Sequence, residues 1–184
     1  MKIYGMNKPK RVNDDVIFQY ARDYNIPLED CYELDTAYLS LLSSFDKTIY
    51  KSQIKNHLQP LQVQYFDKQK KLRSFQINCY AGGTPNLNWS RDSIMTTFPP
   101  KQQAPLDSLI SLDTQLKFLR PLSTSAMIGI EKYDFVVLVY WSRFMGRQSK
   151  RLIQFIQNNS KLASNKEVKT LYINNDNIYA TKDK

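Results

Sequence analysis

Hydrophobic and polar positions change period twice along the chain. From Asn13, a residue suited to capping a helix, Val16, Ile17, Tyr20 and Ala21 recur at helical spacing, and the pattern stops before Pro27. Asp35 or Thr36 can open a second helix, with Tyr38, Leu39, Leu41 and Leu42 as a broad apolar face. A third, starting near Asp46, places Ile49, Tyr50 and Ile54 on one side and ends before Pro60. The first third is therefore expected to be helical, preceded over 1–12 by a basic, proline-containing extended arm. The period then falls to two. Leu61, Val63 and Tyr65 alternate with Gln62 and Gln64, and Phe75, Ile77 and Cys79 alternate with Ser74, Gln76 and Asn78. The polar link Asp67–Lys71 between them completes a β-hairpin over 61–80.

Residues 81–100 hold two of the 5 glycines and three of the 8 prolines and are expected to form a long loop pinned by Trp89 and Phe98. Ser111–Leu119 reads as a helix ended by Pro121. Phe135–Trp141 is an uninterrupted β-branched and aromatic run, the signature of a strand covered on both faces. Gly146–Asn159 puts Leu152, Ile153, Phe155 and Ile156 on one helical face, and Val168–Ile173 forms another strand, so 134–174 makes a β-α-β unit with a right-handed crossover. The expected architecture is α/β: an N-terminal arm and helical segment over 1–60, then over 61–184 a mixed sheet flanked by helices, together one compact domain.

Composition narrows the chemistry. With 184 residues, 42% of them hydrophobic and 12% aromatic, the chain can bury a substantial core, which excludes wholesale disorder. No apolar run reaches the roughly 18–20 residues of a membrane-spanning helix. The start, Met1–Met6, lacks an apolar region of signal-peptide length, which taken literally means a cytoplasmic protein; an export signal or lipid anchor would lie outside the given chain. The single His57 and the distant Cys31 and Cys79 offer no clustered zinc ligands. His57 is expected at the surface or at a helix end, and the two cysteines are expected to be buried thiols rather than a disulfide. Neither a P-loop nor a dinucleotide fingerprint can be written with so few glycines, so no cofactor is implied. The formal charge of +9 permits acidic partners, but the basic residues are scattered without an aromatic RNA-binding signature, and nucleic acid is not expected.

One motif stands out. After the buried run come Trp141-Ser142-Arg143-Phe144-Met145-Gly146-Arg147-Gln148-Ser149-Lys150. Over residues 133–178 the chain resembles the thioredoxin-like superfamily, in the style of bacterial envelope thiol-disulfide oxidoreductases, whose motif is a hydrophobic strand, then W-x-x-W/F-C-G-x-C-K/R, then a helix. Trp141, Phe144 and Gly146 match, and Met145 and Gln148 stand where the two cysteines would be. The next strand of that family, often ending in an acidic residue, looks similar to Val168–Asp176. The resemblance implies a thioredoxin-like sheet in which the hairpin 61–80 and the helix 111–119 replace a module usually found downstream. It also implies a bacterial envelope location, periplasmic or lipid-anchored.

A thioether cannot ionise and an amide cannot form a disulfide, so thioredoxin-type exchange is excluded at Met145-Gly146-Arg147-Gln148. What can survive there is recognition. A helix N-terminus attracts anions, and cations in its first turns oppose the macrodipole by about 0.3–1 kcal/mol each unless something negative lies between. Arg143, Arg147, Lys150 and Arg151, with Gln148 and Ser149 and beside Trp141, Phe144 and Met145, are therefore the candidate site for an anionic ligand or partner. No catalytic or metal-binding residue is assigned. The alternative is a thiol-dependent redox enzyme, peroxidase-like or thiol-transferring, using Cys79 or Cys31. The Cys79–Trp89 loop, with its Gly82-Gly83 pair, is a second binding candidate, read first as a turn whose Trp89 covers the core.

Overall fold

The apolar run at 135–141 organises the molecule by burying both of its faces. A computed structural model describes residues 7–82, 87–123 and 129–180. In chain order the elements are α1 (Asp14–Asp23), β1 (Cys31–Leu34), α2 (Tyr38–Ser44), α3 (Lys51–His57), β2 (Gln62–Asp67), β3 (Leu72–Ile77), α4 (Leu112–Leu116), β4 (Leu119–Pro121), β5 (Phe135–Trp141), α5 (Arg147–Ser160), β6 (Val168–Asn174) and α6 (Asp176–Ala180). The strands form one mixed sheet in the order β3-β2-β5-β6-β1-β4. β5, β6 and β1 run parallel, β2 and β3 continue antiparallel beyond β5, and β4 closes the other edge antiparallel to β1.

This is the expected α/β arrangement, a thioredoxin-like mixed sheet flanked by helices. The upstream hairpin lies against β5 on the side opposite β6. Alternation along β5 assigns the two cores. Val137, Val139 and Trp141 pack with Ile17 and Ala21 of α1 and Leu152, Ile153 and Ile156 of α5; Val136, Leu138 and Tyr140 pack with Tyr38 and Leu42 of α2, Leu112 of α4 and Ile178 of α6. Burying each of the Val, Leu and Ile side chains among them contributes roughly 1.5–3 kcal/mol before the entropy of ordering is subtracted.

Two local expectations are corrected. The first third is not purely helical: Cys31–Leu34 enters the sheet between β6 and β4. The helix read over 111–119 ends at Leu116, and Leu119–Pro121 pairs with β1 as an edge strand, where a missing proline N–H costs no ladder bond. Gln62 and Gln64 do not face water; both are buried, because helix α3 and the 100–111 segment roof that face of the hairpin. Their amides are satisfied there, Gln62 Nε2 donating to the His57 carbonyl at 2.9 Å and Gln115 Nε2 donating to Gln64 Oε1 at 2.8 Å, with Tyr140 Oη in turn donating to Gln115 Oε1 at 2.7 Å.

Candidate functional site

The corner between β5 and α5 is built by a short chain of backbone requirements. β5 ends at Trp141, Arg143–Met145 form a single 3-10 turn, and Gly146 (φ 49°, ψ −120°) reverses the chain into α5. Only glycine adopts that backbone conformation readily. The turn leaves amides that need acceptors, and Asp176 supplies them. Its carboxylate accepts from Arg143 N at 2.6 Å, Phe144 N at 3.3 Å and Asn174 Nδ2 at 2.8 Å, with the Arg143 guanidinium 4.0 Å away. Ser149 adds a second clasp from the helix: its hydroxyl donates to Ser142 O at 2.6 Å and accepts from Ser142 N at 3.3 Å. Asn175 N donates to Trp141 O at 3.0 Å, joining the ends of β6 and β5.

The N-terminal arm crosses this corner. Asn7 N donates to Phe144 O at 2.7 Å, Arg143 Nη2 donates to Lys8 O at 3.3 Å, and Asn177 exchanges hydrogen bonds with both backbone groups of Val12, at 2.9 and 3.0 Å. The extended-arm reading holds for residues 7–12; residues 1–6 lie outside those described.

The predicted site residues therefore separate into two groups. Trp141, Phe144, Met145, Gln148 and Ser149 are buried. Trp141 stacks edge-on with Tyr24 at 5.6 Å, and Phe144 does so with Tyr179 at 5.2 Å. These five build the corner rather than its surface. Arg143 is half-buried between Asp176 and the arm. Arg147 and Lys150 are exposed and Arg151 half-exposed, so the first turns of α5 turn a basic edge outward. The first turn of this 14-residue helix carries no acidic residue and no side-chain cap, and Lys150 and Arg151 have no ion pair among the described residues.

Asp176 is the residue whose role the sequence pattern did not reveal, although an acidic residue after β6 was noted. Burial outweighs its three donors and Arg143, and pushes its carboxyl above the usual range. The strand-end position is the only sequence signal of its task.

The other candidates fall elsewhere. His57 does end α3, but it is buried at 1% exposure rather than at the surface. Its Nε2 lies 3.1 Å from Asp107 Oδ1 and its Nδ1 3.5 Å from Gln64 Nε2, so an amide stands where a triad would need a hydroxyl or thiol nucleophile. Burial is the largest single influence on Asp107 and opposes its charge, but His57 and the Leu109 amide together hold that carboxyl below its ordinary value. Both cysteines are free thiols, as expected, but only Cys31 is buried; Cys79 is exposed and donates to Gln59 Oε1 at 3.0 Å. Cys31 starts β1, two strands across from β5 and level with Tyr172 of β6, and burial pushes its thiol up to about 12. Trp89 is fully buried in the α1–α5 core, as the bland reading of its loop had it; residues 83–86 of that loop lie outside those described.

Among the described residues no group of three or more Cys, His, Asp or Glu side chains could hold a metal, and no helix is long and apolar enough to cross a membrane. In comparisons with protein-family models, curated proteins and solved structures the chain matches none, so the likeness of residues 133–178 to thioredoxins rests on its own residues.

Proposed function

We propose that this chain is a non-catalytic thioredoxin-like module that binds an acidic partner surface along the basic edge of Arg147, Lys150 and Arg151, with Arg143 and Lys8 behind it. The observation that carries the reading is the start of α5: Lys150 and Arg151, without an ion pair among the described residues, stand where the macrodipole favours anions, with no acidic residue in the first turn and no side-chain cap. An acidic surface laid against these side chains relieves that mismatch. A partner fits better than a small anion, because the arm runs over the turn and the exposed groups are long side chains rather than bare amides. The thioether of Met145 and the amide of Gln148 support a binding role over thiol exchange.

The thiol-enzyme alternative draws no support from the site. Cys31 is buried with a raised pKa, and the Cys79 sulfur meets only neutral amide groups among the described residues, Gln59 Oε1 at 3.0 Å and Asn78 Nδ2 at 3.9 Å. The test is calorimetric titration with poly-L-glutamate at low salt. Arg147→Glu with Lys150→Glu should weaken binding by about tenfold or more, whereas the same charge change at Lys68 and Lys71, on the exposed hairpin turn, should leave it within about twofold. Equal loss in both variants, or none in the first, removes the site.

A further inference from the structure

We propose that the groove along α3 is a binding site for a single-chain fatty carboxylate. This open groove of about 760 Å³ has Ile54 and Leu58 as its apolar floor, Lys47, Lys51 and Lys55 along its rim, and Gln59 at its end. Ile54 and Leu58 rest on the α2–α4 core beneath, so the floor is firm. Lys51 and Lys55, four residues apart on α3, stand in one row on the helical surface with Lys47 in the turn before it, and their methylene stems can extend the apolar wall while their ammonium groups reach the rim. No acidic residue lines the groove, and Lys47, Lys51 and Lys55 have no ion pair among the described residues. An apolar channel edged by unneutralised cations is complementary to an alkyl chain ending in an anion.

Length and width identify the occupant further. From Lys51 to Leu58, α3 spans about 11 Å at helical rise, and the turn that carries Lys47 lengthens the groove beyond that, toward the reach of a laurate-sized chain. Gln59 closes the end: its Nε2 donates to Lys55 O at 2.9 Å, and its Oε1 accepts from Asn78 Nδ2 and the Cys79 thiol, both at 3.0 Å. Two apolar floor residues are too few for a protein helix, since stable interfaces bury about 800 Å² per partner. A bilayer surface fits less well, because Ile49, the most exposed large apolar side chain nearby at 67%, is not part of the lining.

The experiment is an amide NMR titration of the full chain with laurate below its micelle concentration, with octanoate, dodecyltrimethylammonium and phosphatidylglycerol vesicles as separate arms. The expected result is saturable laurate shifts confined to 47–59 and the adjoining 78–80. Lys51→Glu with Lys55→Glu, both exposed positions, should weaken binding by about tenfold. Octanoate should bind about tenfold more weakly, below the full burial value for four methylenes because the groove is open. Equal binding of the cationic amphiphile, unchanged affinity in the double variant, binding to vesicles without binding to monomeric laurate, or shifts centred outside α3 would each overturn the proposal. The Arg147 and Lys150 variants leave this site intact, so its result is independent of the corner.

Discussion

Replacing Asp176 tests how the corner is held. In the wild type the carboxylate is fully buried and serves the amides of Arg143 and Phe144 and the side chain of Asn174. Asp176→Ala leaves these donors unpaired, at about 1–3 kcal/mol each, while removing a desolvated charge; the net loss should be about 3–5 kcal/mol. Asp176→Asn keeps one acceptor oxygen but turns an NH2 group toward a donor, and should cost about 1–3 kcal/mol at pH 7. The pH dependence carries a sign. Because burial raises the folded-state pKa above its ordinary value of 3.8, Asp176 favours the fold most when protonated, below that value, and its contribution is lost as pH rises through the folded pKa. The asparagine does not titrate, so its deficit against the wild type should be largest near pH 4 and shrink toward neutrality. Urea unfolding of the three proteins from pH 4 to 7 measures both effects. A cost below about 1 kcal/mol for the alanine, or a deficit that grows with pH, would refute the reasoning.

Four further outcomes follow from the same geometry. His57→Ala should cost about 2–4 kcal/mol by opening a buried cavity and stripping Asp107 of its partner. Asp107→Asn should behave oppositely to Asp176: with a lowered folded pKa, the stability from Asp107 is present above 3.8 and lost as pH falls through the folded value, so the two unfolding curves converge in acid. In the folded protein iodoacetamide at pH 8 should label Cys79 and spare Cys31, read by intact mass; rapid labelling of Cys79 at pH 6 would revive the thiol-enzyme alternative. Met145→Cys with Gln148→Cys places two thiols three residues apart across the Gly146 turn, the spacing of the family motif, and should yield an intrachain disulfide on mild oxidation; two thiols persisting under oxidant would count against the resemblance.

The long elements were legible because their patterns last long enough to declare a period. β5, the β2–β3 hairpin, α1 with its Asn13 cap (Oδ1 accepting from Val16 N at 3.1 Å), α5 and β6 all lie where spacing put them. The four residues of β1 and three of β4 carry no period at all, and each owes its place to the neighbour it pairs with. Gln62 and Gln64 obeyed the alternation rule while defeating its usual meaning, because the face they occupy is roofed and hydrogen-bonded. The candidate site was legible as a stretch but not as a surface. The sequence placed Arg147, Lys150 and Arg151 in the first turns of α5, whereas the burial of Phe144 comes with contacts to the arm, Asp176 and Tyr179, partners more than thirty residues away in the chain. Similarly, His57 is buried by Asp107 and Phe75, partners remote in sequence.

The most direct test of the corner as a recognition surface is an amide NMR map of the labelled chain during titration with poly-L-glutamate. The account predicts saturable shifts concentrated on residues 143–151 and the arm at 7–11, abolished by Arg147→Glu with Lys150→Glu. Shifts spread evenly over the basic residues of the whole surface, unchanged by that variant, would contradict it and reduce the corner to a structural relic.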